Sequence, residues 1–435
     1  MKNYLFLLLS VATLIFLAAC SGGSSEEASG NEKNGGEDGD KITLRMSWWG
    51  SQTRHDMTNE IIALYEEQNP NIDIQPEFTG FDGYFEKMAA QAAGNNLPDI
   101  MQQNFGEYIN QYASQGLLAD LTPFVEDGTI DLEGVSETVL DSGKVDGTFV
   151  GVPTGTNALV ATYNPETFEE AGVEPPTNDW TWEDYQNIAK EIHEKTGQYG
   201  TRLVEPANMF DYYLREKGKA MFSEDGKALG YEDDQLLIDY FTMTKDMIDE
   251  GVAPGYDVIQ QIKGLEDELI VRGETPLDAT NWSNQVGALT EAAGNPLEMV
   301  VLPGENNDQG MFLKPSMLWS IGENSKHKEE AAKFINFFTN TVEVFEVIGS
   351  DRGVPIKPEI REALQPSLSD VDKQVYEYVE YVAEHSSPAD TNYPSSASEV
   401  LKALEDVDEL VMYGELTPEE GAKQFRKKAE TILAE

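Results

Sequence analysis

Chemistry by side chains needs reactive groups at set spacings, and this 435-residue chain offers few of them. Cys20 is its only thiol, so no disulfide can form within it. The four histidines, His55, His193, His327 and His385, stand far apart. No HExxH, CxxC, phosphate-cradling GxxxxGK[ST] or GxSxG pattern places a base beside a nucleophile or a metal. Carboxylates are abundant, with 79 Asp and Glu. Two of them roughly 5 to 9 Å apart, one with a raised pKa, could hydrolyse a glycosidic bond, but no local motif nominates such a pair. No catalytic residue, cofactor or metal is therefore expected. What remains is binding chemistry: 42 aromatic rings that can cover apolar C–H faces, and many planar Asn, Gln, Asp and Glu groups that can hydrogen-bond hydroxyls. Composition alone selects none of these, so the elements that position them must do so.

The start of the chain sets the compartment. Lys2 precedes a 16-residue apolar run, Tyr4 to Ala19, broken only by Ser10 and Thr13. A cationic start, a short apolar stretch and small residues before a cut make a secretory signal over 1–19. A membrane-spanning helix needs about 20 apolar residues. The ending Leu17-Ala18-Ala19-Cys20 resembles the lipobox of bacterial lipoproteins, which implies acylation of the Cys20 thiol and cleavage before it. Residues 20–40 are rich in Gly, Ser and acids and hold almost nothing that could enter a core, so they read as a flexible acidic tether. Two or three acyl chains anchor stably where one does not. The expected location is the extracellular face of the cell membrane, held by lipid.

The charge balance narrows the partners. Thirty Lys and Arg against 79 Asp and Glu give a formal net charge of −49. Nucleic acid phosphates would be repelled, and no polybasic membrane patch is present. So acidic a chain on a cell exterior reflects a saline or alkaline medium. The roughly 395 residues beyond the tether exceed what one core holds and suit two lobes.

Alternating elements position the candidates. Ile42, Leu44, Met46 and Trp48 alternate with polar residues as a strand, followed by a helix from about Thr53 to Gln68. A second strand, Ile72 to Phe78, leads through a loop at 80–84 to a helix over about 85–93. A third strand near Pro98–Met101 precedes a helix over about 106–115. Such βα alternation predicts a sheet with helices on both faces, and ligands on such sheets bind beyond the carboxyl ends of the strands. Trp49 sits at such an end, whereas Trp48 continues the buried set. Arg54 near a helix start is unusual, because that turn favours anions. It is either a ligand contact or a surface cation paired with a carboxylate. Asp82 and Tyr84 fall in the second of these loops, for contact or for capping and packing. Asp146-Gly147 suits a two-residue hairpin turn, and Thr181 with Asp184 suits a capping box. Helices are expected near 208–217, 232–250, 259–272 and 326–348, and three more near 370–384, 396–413 and 418–433. Strands are expected at Pro276–Thr280 and Leu297–Leu302.

The ordered segments WWGSQTR, GFDGYFEKMAAQAAGNNLPDI, YASQGLLADL, KVDGTFVGVPTGTNALVATYNPETFEEAG, TWEDY, KHKEEAAKFINFF and DRGVPI resemble the family 1 extracellular solute-binding proteins. These are carbohydrate-binding lipoproteins of bacterial ABC importers and relatives of maltose-binding protein. The resemblance runs over 41–435. It implies two α/β lobes joined by crossover hinges, the type II periplasmic-binding-protein fold. Lobe one is expected at 41–153 plus 319–355 and lobe two at 158–316 plus 360–435. The crossovers would fall near 154–157, 315–318 and 355–359. The implied function is to bind a sugar, an oligosaccharide, between the lobes and deliver it as a monomer to ABC permease subunits. A lipid-anchored glycoside hydrolase or a non-transport sugar sensor of the same fold are the alternatives.

The resemblance also nominates residues. Asn104 and Glu107 follow PDIMQQ, where relatives contact sugar, and Asn157 matches a polar hinge-strand ligand. Trp282 aligns with an indole that stacks on sugar, against simple core packing. Trp319 lies beside the second crossover, and Arg352 in DRGVP is either a ligand or a loop anchor. SQTRH replaces the acid–cation pair of maltose-binding protein, and Asn104 replaces an aromatic. Both changes point away from maltodextrin, while the WWG…RH and GFDGY wording resembles relatives that import pectic or hemicellulosic oligosaccharides, and Arg54, His55 and Arg352 leave an acidic sugar open.

Overall fold

The computed structural model describes residues 41–202, 206–390 and 393–434. The leader, Cys20 and the tether lie outside the described residues. The chain opens β1 (Ile42–Trp49), α1 (Gln52–Gln68), β2 (Ile72–Thr79), α2 (Phe81–Ala93), β3 (Ile100–Gln103) and α3 (Glu107–Ser114). Further strands follow: β4 (Lys144–Val145), β5 (Thr148–Phe149), β6 (Val152–Pro153), β7 (Gly155–Asn157) and β8 (Leu159–Tyr163). The last five are β9 (Leu277–Trp282), β10 (Glu298–Val300), β11 (Lys314–Pro315), β12 (Leu318–Ile321) and β13 (Val354–Pro355).

The first lobe is a five-stranded sheet in the order β2-β1-β3-β12-β6. β1 pairs in parallel with both β2 and β3, and parallel neighbours need a crossover, which α1 and α2 supply. Leu44, Met46 and Trp48 are fully buried, each worth about 1.5 to 3 kcal/mol of transfer free energy on the area scale. Ile61, Ile62 and Tyr65 of α1 and Phe334 of the helix Lys328–Asn340 share their core. Tyr84, Met88, Ile109 and Tyr112, from α2 and α3, build a second core with Met101 and Leu318. The sheet is thus covered on both faces.

The second lobe has an antiparallel sheet, β10-β8-β9, inside a thick helical shell. Its core joins Trp180, Tyr185, Phe210, Tyr240, Val379 and Phe425. Thr181 and Asp184 form the expected capping box: the Thr181 hydroxyl accepts from the Asp184 N–H at 3.1 Å, and the Asp184 carboxylate accepts from the Thr181 N–H at 2.9 Å. The β4–β5 hairpin also forms, with Asp146 and Gly147 both at positive φ.

Three short strands make a separate antiparallel sheet, β11-β7-β13. Asn157 pairs with Lys314, and Thr156 pairs with both Pro315 and Val354. Gly155 is required here, since an added Cβ would lie 2.3 Å from the Arg352 carbonyl oxygen.

Three expectations change. α2 begins at Phe81, with Gly80 as its N-cap, so Tyr84 is helical and not in a loop. The segment 259–272 is not one helix: extended Gly264 separates a single turn, Tyr256–Ile259, from a 3-10 turn, Leu265–Asp267. The 326–348 stretch is two helices, Lys328–Asn340 and Val342–Ile348, parted by extended Thr341.

Candidate ligand cleft

A cavity of about 650 Å³ opens where the carboxyl ends of β1 and β3 approach β7, β9 and the helix Pro206–Glu216. Six sequence-nominated residues line it: Trp49, Arg54, Asn104, Glu107, Asn157 and Trp282.

Trp49 ends β1 and is almost buried. Phe81 and Tyr84 meet its ring edge-on at 5.5 and 5.2 Å, which fixes the indole's orientation. Arg54 stands in the first turn of α1, where the Ser51 side chain caps its N–H. Its guanidinium donates to both carboxylate oxygens of Asp351, at 2.7 and 3.1 Å, and to the Asp351 carbonyl at 3.0 Å. That anchor, 297 residues away, accounts for a cation at a helix start.

Asn104 and Glu107 bracket the turn from β3 into α3. The Asn104 amide donates to Glu107 at 3.3 Å. Burial pushes the Glu107 carboxyl up, and the Lys314 ammonium opposes the shift. Asn157 in β7 donates to Asn284 at 2.9 Å, while its buried Oδ1 has no donor among the described residues. Trp282 is the last residue of β9 and is half-buried. The Lys314 ammonium lies 4.5 Å from its ring centroid, a cation–π contact, and Phe312 approaches edge-on at 6.2 Å.

Three nominated residues do not reach the cavity. Tyr84 is fully buried, and its hydroxyl donates to the Gln102 carbonyl at 2.8 Å and the Ser47 carbonyl at 3.2 Å, tying β1 to β3. Trp319 is fully buried against Phe338 at 5.3 Å, because β12 lies inside the sheet and not at its edge. Arg352 is also fully buried. It donates to Gln102, to Thr58 at 2.9 Å and to the Met317 sulfur, so it anchors the loop. Burial and the Arg54 charge hold its pKa down to about 9. The side chain of Asp82 lies outside the described residues.

Sequence reasoning missed Asp211, Asn284, Lys314 and Tyr393, which also line the cavity. Asp211 was open to detection, being the one charge inside the apolar run Met209–Leu214. Burial pushes its carboxyl up to about 7; the Arg215 charge opposes the shift and the Asp390 charge adds to it. A carboxyl whose folded pKa is raised contributes stability fully below its ordinary 3.8, and that contribution is lost as pH rises through about 7. The melting temperature of Asp211→Asn relative to the parent should therefore climb between pH 4 and 7 and level off above. Calorimetric melts across that range check this, and a difference that is flat with pH would contradict it.

Comparisons with known proteins agree with this geometry. Residues 51–343 match the family model of the bacterial extracellular solute-binding proteins. The chain belongs to that family. Its structure is similar to a periplasmic oligogalacturonide-binding protein from Yersinia enterocolitica solved with saturated digalacturonic acid (TM-score 0.77, 27% identity, 90% of this chain and 98% of that one). It is likewise similar to an ABC substrate-binding protein from Listeria monocytogenes in complex with cycloalternan (TM-score 0.77, 25% identity, 90% and 99%). In sequence it is similar to an arabinooligosaccharide-binding protein from Halalkalibacterium halodurans, 26% identical over 196 residues, 44% of this chain and 43% of that one. The fold is therefore the two-lobed one of maltose-binding protein and its relatives. Among the described residues no helix is long and apolar enough to cross a membrane.

Proposed function

We propose that this protein binds an oligosaccharide between its two lobes and delivers it to the permease of an ABC importer. The observation that carries the reading is the pairing of two indoles in one cavity. Trp49 comes from the first sheet and Trp282 from the second, and the amides of Asn104, Asn157 and Asn284 line the same cavity. Aromatic faces cover the C–H surface of a sugar ring, and planar amides satisfy its hydroxyls in a cleft that excludes water. Closure of the lobes about the ligand is the motion such a site implies. The lobes are assigned as 41–153 plus 319–355 and 158–316 plus 360–435, with the β11-β7-β13 sheet as the flexing joint.

A hydrolase of the same site would convert the sugar it holds. Incubation with oligosaccharides separates the readings: tight binding with unchanged ligand supports transport, and product supports the enzyme. The binding itself is tested by thermal shift against an oligosaccharide panel. A ligand that binds only the native state raises its stability by RT ln(1 + [L]/Kd), about 2.7 kcal/mol at a hundredfold excess over Kd. A melting temperature that no oligosaccharide raises would contradict the reading.

We further propose that Cys20 is acylated and holds the protein at the outer face of the cell membrane. The motive is the Leu-Ala-Ala-Cys ending followed by an acidic tether. Cys20→Ser should yield soluble or unprocessed protein on fractionation. Processing and membrane retention equal to the parent's would contradict acylation.

A further inference from the structure

Among the described residues, the cations that line the cavity are engaged within the protein. Arg54 is held by both carboxylate oxygens of Asp351. Lys314 sits over the Trp282 ring and offsets the half-buried Glu107 carboxylate. Lys402, at the rim, pairs with Glu405 and with Asp406 at 2.9 Å. The two other arginines nearby do not line the cavity. Arg352 is enclosed in the first lobe, and Arg215 is enclosed in the second. Arg215 spends its donors on Asp390, the Gly310 and Pro388 carbonyls and the Ser387 hydroxyl. Asp211 remains, with about nine-tenths of its surface buried, lining the cavity with Arg215 behind it and Tyr393 and Glu107 alongside.

We propose that this cleft selects uncharged oligosaccharides and rejects uronates, because every cation facing it is already matched to a carboxylate or held over an aromatic ring while Asp211 and Glu107 face inward. The proposal rests on the sugar-binding reading above and narrows it. A neutral sugar carries no charge and offers hydroxyl donors that the two inward carboxylates can accept, and charge-assisted hydrogen bonds of this kind are the stronger ones. A uronate brings a further anion into a partly desolvated space with no uncommitted cation. It must draw a cation away from its present carboxylate or aromatic partner or stand beside a like charge, and both are unfavourable at short range and low dielectric. Arg54, His55 and Arg352 left an acidic ligand open on sequence grounds. Arg352 is now in the core, and His55 is buried with the Trp48 indole donating to its Nδ1 at 3.1 Å.

The test is a calorimetric titration of the purified protein at pH 8 with length-matched arabino-, xylo- and galacto-oligosaccharides and with oligogalacturonides. At least one neutral series should bind ten times more tightly than the uronates. The same titrations on Asp211→Asn, and on Asp211→Asn combined with Glu107→Gln, should narrow that ratio several-fold, with melts confirming that each variant is folded. Uronate binding equal to or tighter than neutral binding would overturn the selectivity and leave sugar binding standing, as would a ratio that neither variant moves. Binding of neither class would overturn both.

Discussion

Trp282→Ala is expected to weaken oligosaccharide binding roughly 10- to 150-fold, about 1 to 3 kcal/mol, the scale on which loss of a recognition aromatic is felt. The indole closes β9 and faces the cavity while remaining half-buried. Its ring is held in place by Phe312 edge-on at 6.2 Å and by the Lys314 ammonium at 4.5 Å, so a sugar would meet a surface already oriented. The melting temperature should stay close to the parent's, because the ring packs on the rim of the second core and not within it. A core indole would behave otherwise and cost about 3 to 5 kcal/mol of stability. Titration and melting on the one variant separate the two. Native affinity with a collapsed melting temperature would end the stacking assignment.

Trp319→Ala is expected to give the opposite pattern. This indole has no exposed surface and packs on Phe338 at 5.3 Å, with the Arg352 guanidinium 5.2 Å from its ring centroid. Removing it leaves a cavity against an interior strand of the five-stranded sheet, worth about 3 to 5 kcal/mol. The loss should extend to Arg352, whose buried charge would lose its aromatic cover while its donors still hold Gln102 and Thr58. Well below the melting temperature the folded fraction should still bind sugar with near-parental affinity, since Trp319 does not line the cavity. Denaturant titration beside calorimetry checks both halves. Lost affinity with unchanged stability would return Trp319 to the ligand.

Trp282 and Trp319 also mark how far sequence reading reaches. Trp282 ends a short strand and Trp319 lies within one, and nothing local distinguishes them. Trp282 ends the edge strand β9 beside the cavity, while β12 is flanked by β3 and β6, and strand order is not visible along the chain. The alternation of Ile42, Leu44, Met46 and Trp48, the Thr181 capping box and the Asp146-Gly147 turn were legible, because each depends on neighbours within a few residues. Tyr84 was misplaced for a local reason as well. Gly80 starts α2 without a side-chain cap, so no polar residue announced the helix. Arg54 was noticed as an odd cation, but its explanation, Asp351, lies 297 residues on. Asp211 carried a signal in a charge amid aromatic and apolar residues, which a buried carboxyl must justify by a partner or a function. Lys314 carried no comparable signal, since its place over Trp282 depends on the pairing of β11 with β7.

A sugar held between two lobes that move together to enclose it should make the protein more compact. Small-angle X-ray scattering of the purified protein, without and with a saturating oligosaccharide identified by thermal shift, measures this directly. The saturated sample should show a smaller radius of gyration, and Trp282→Ala should return to the free value at a ligand concentration that saturates only the parent. An unchanged radius at proven saturation would contradict closure about the ligand.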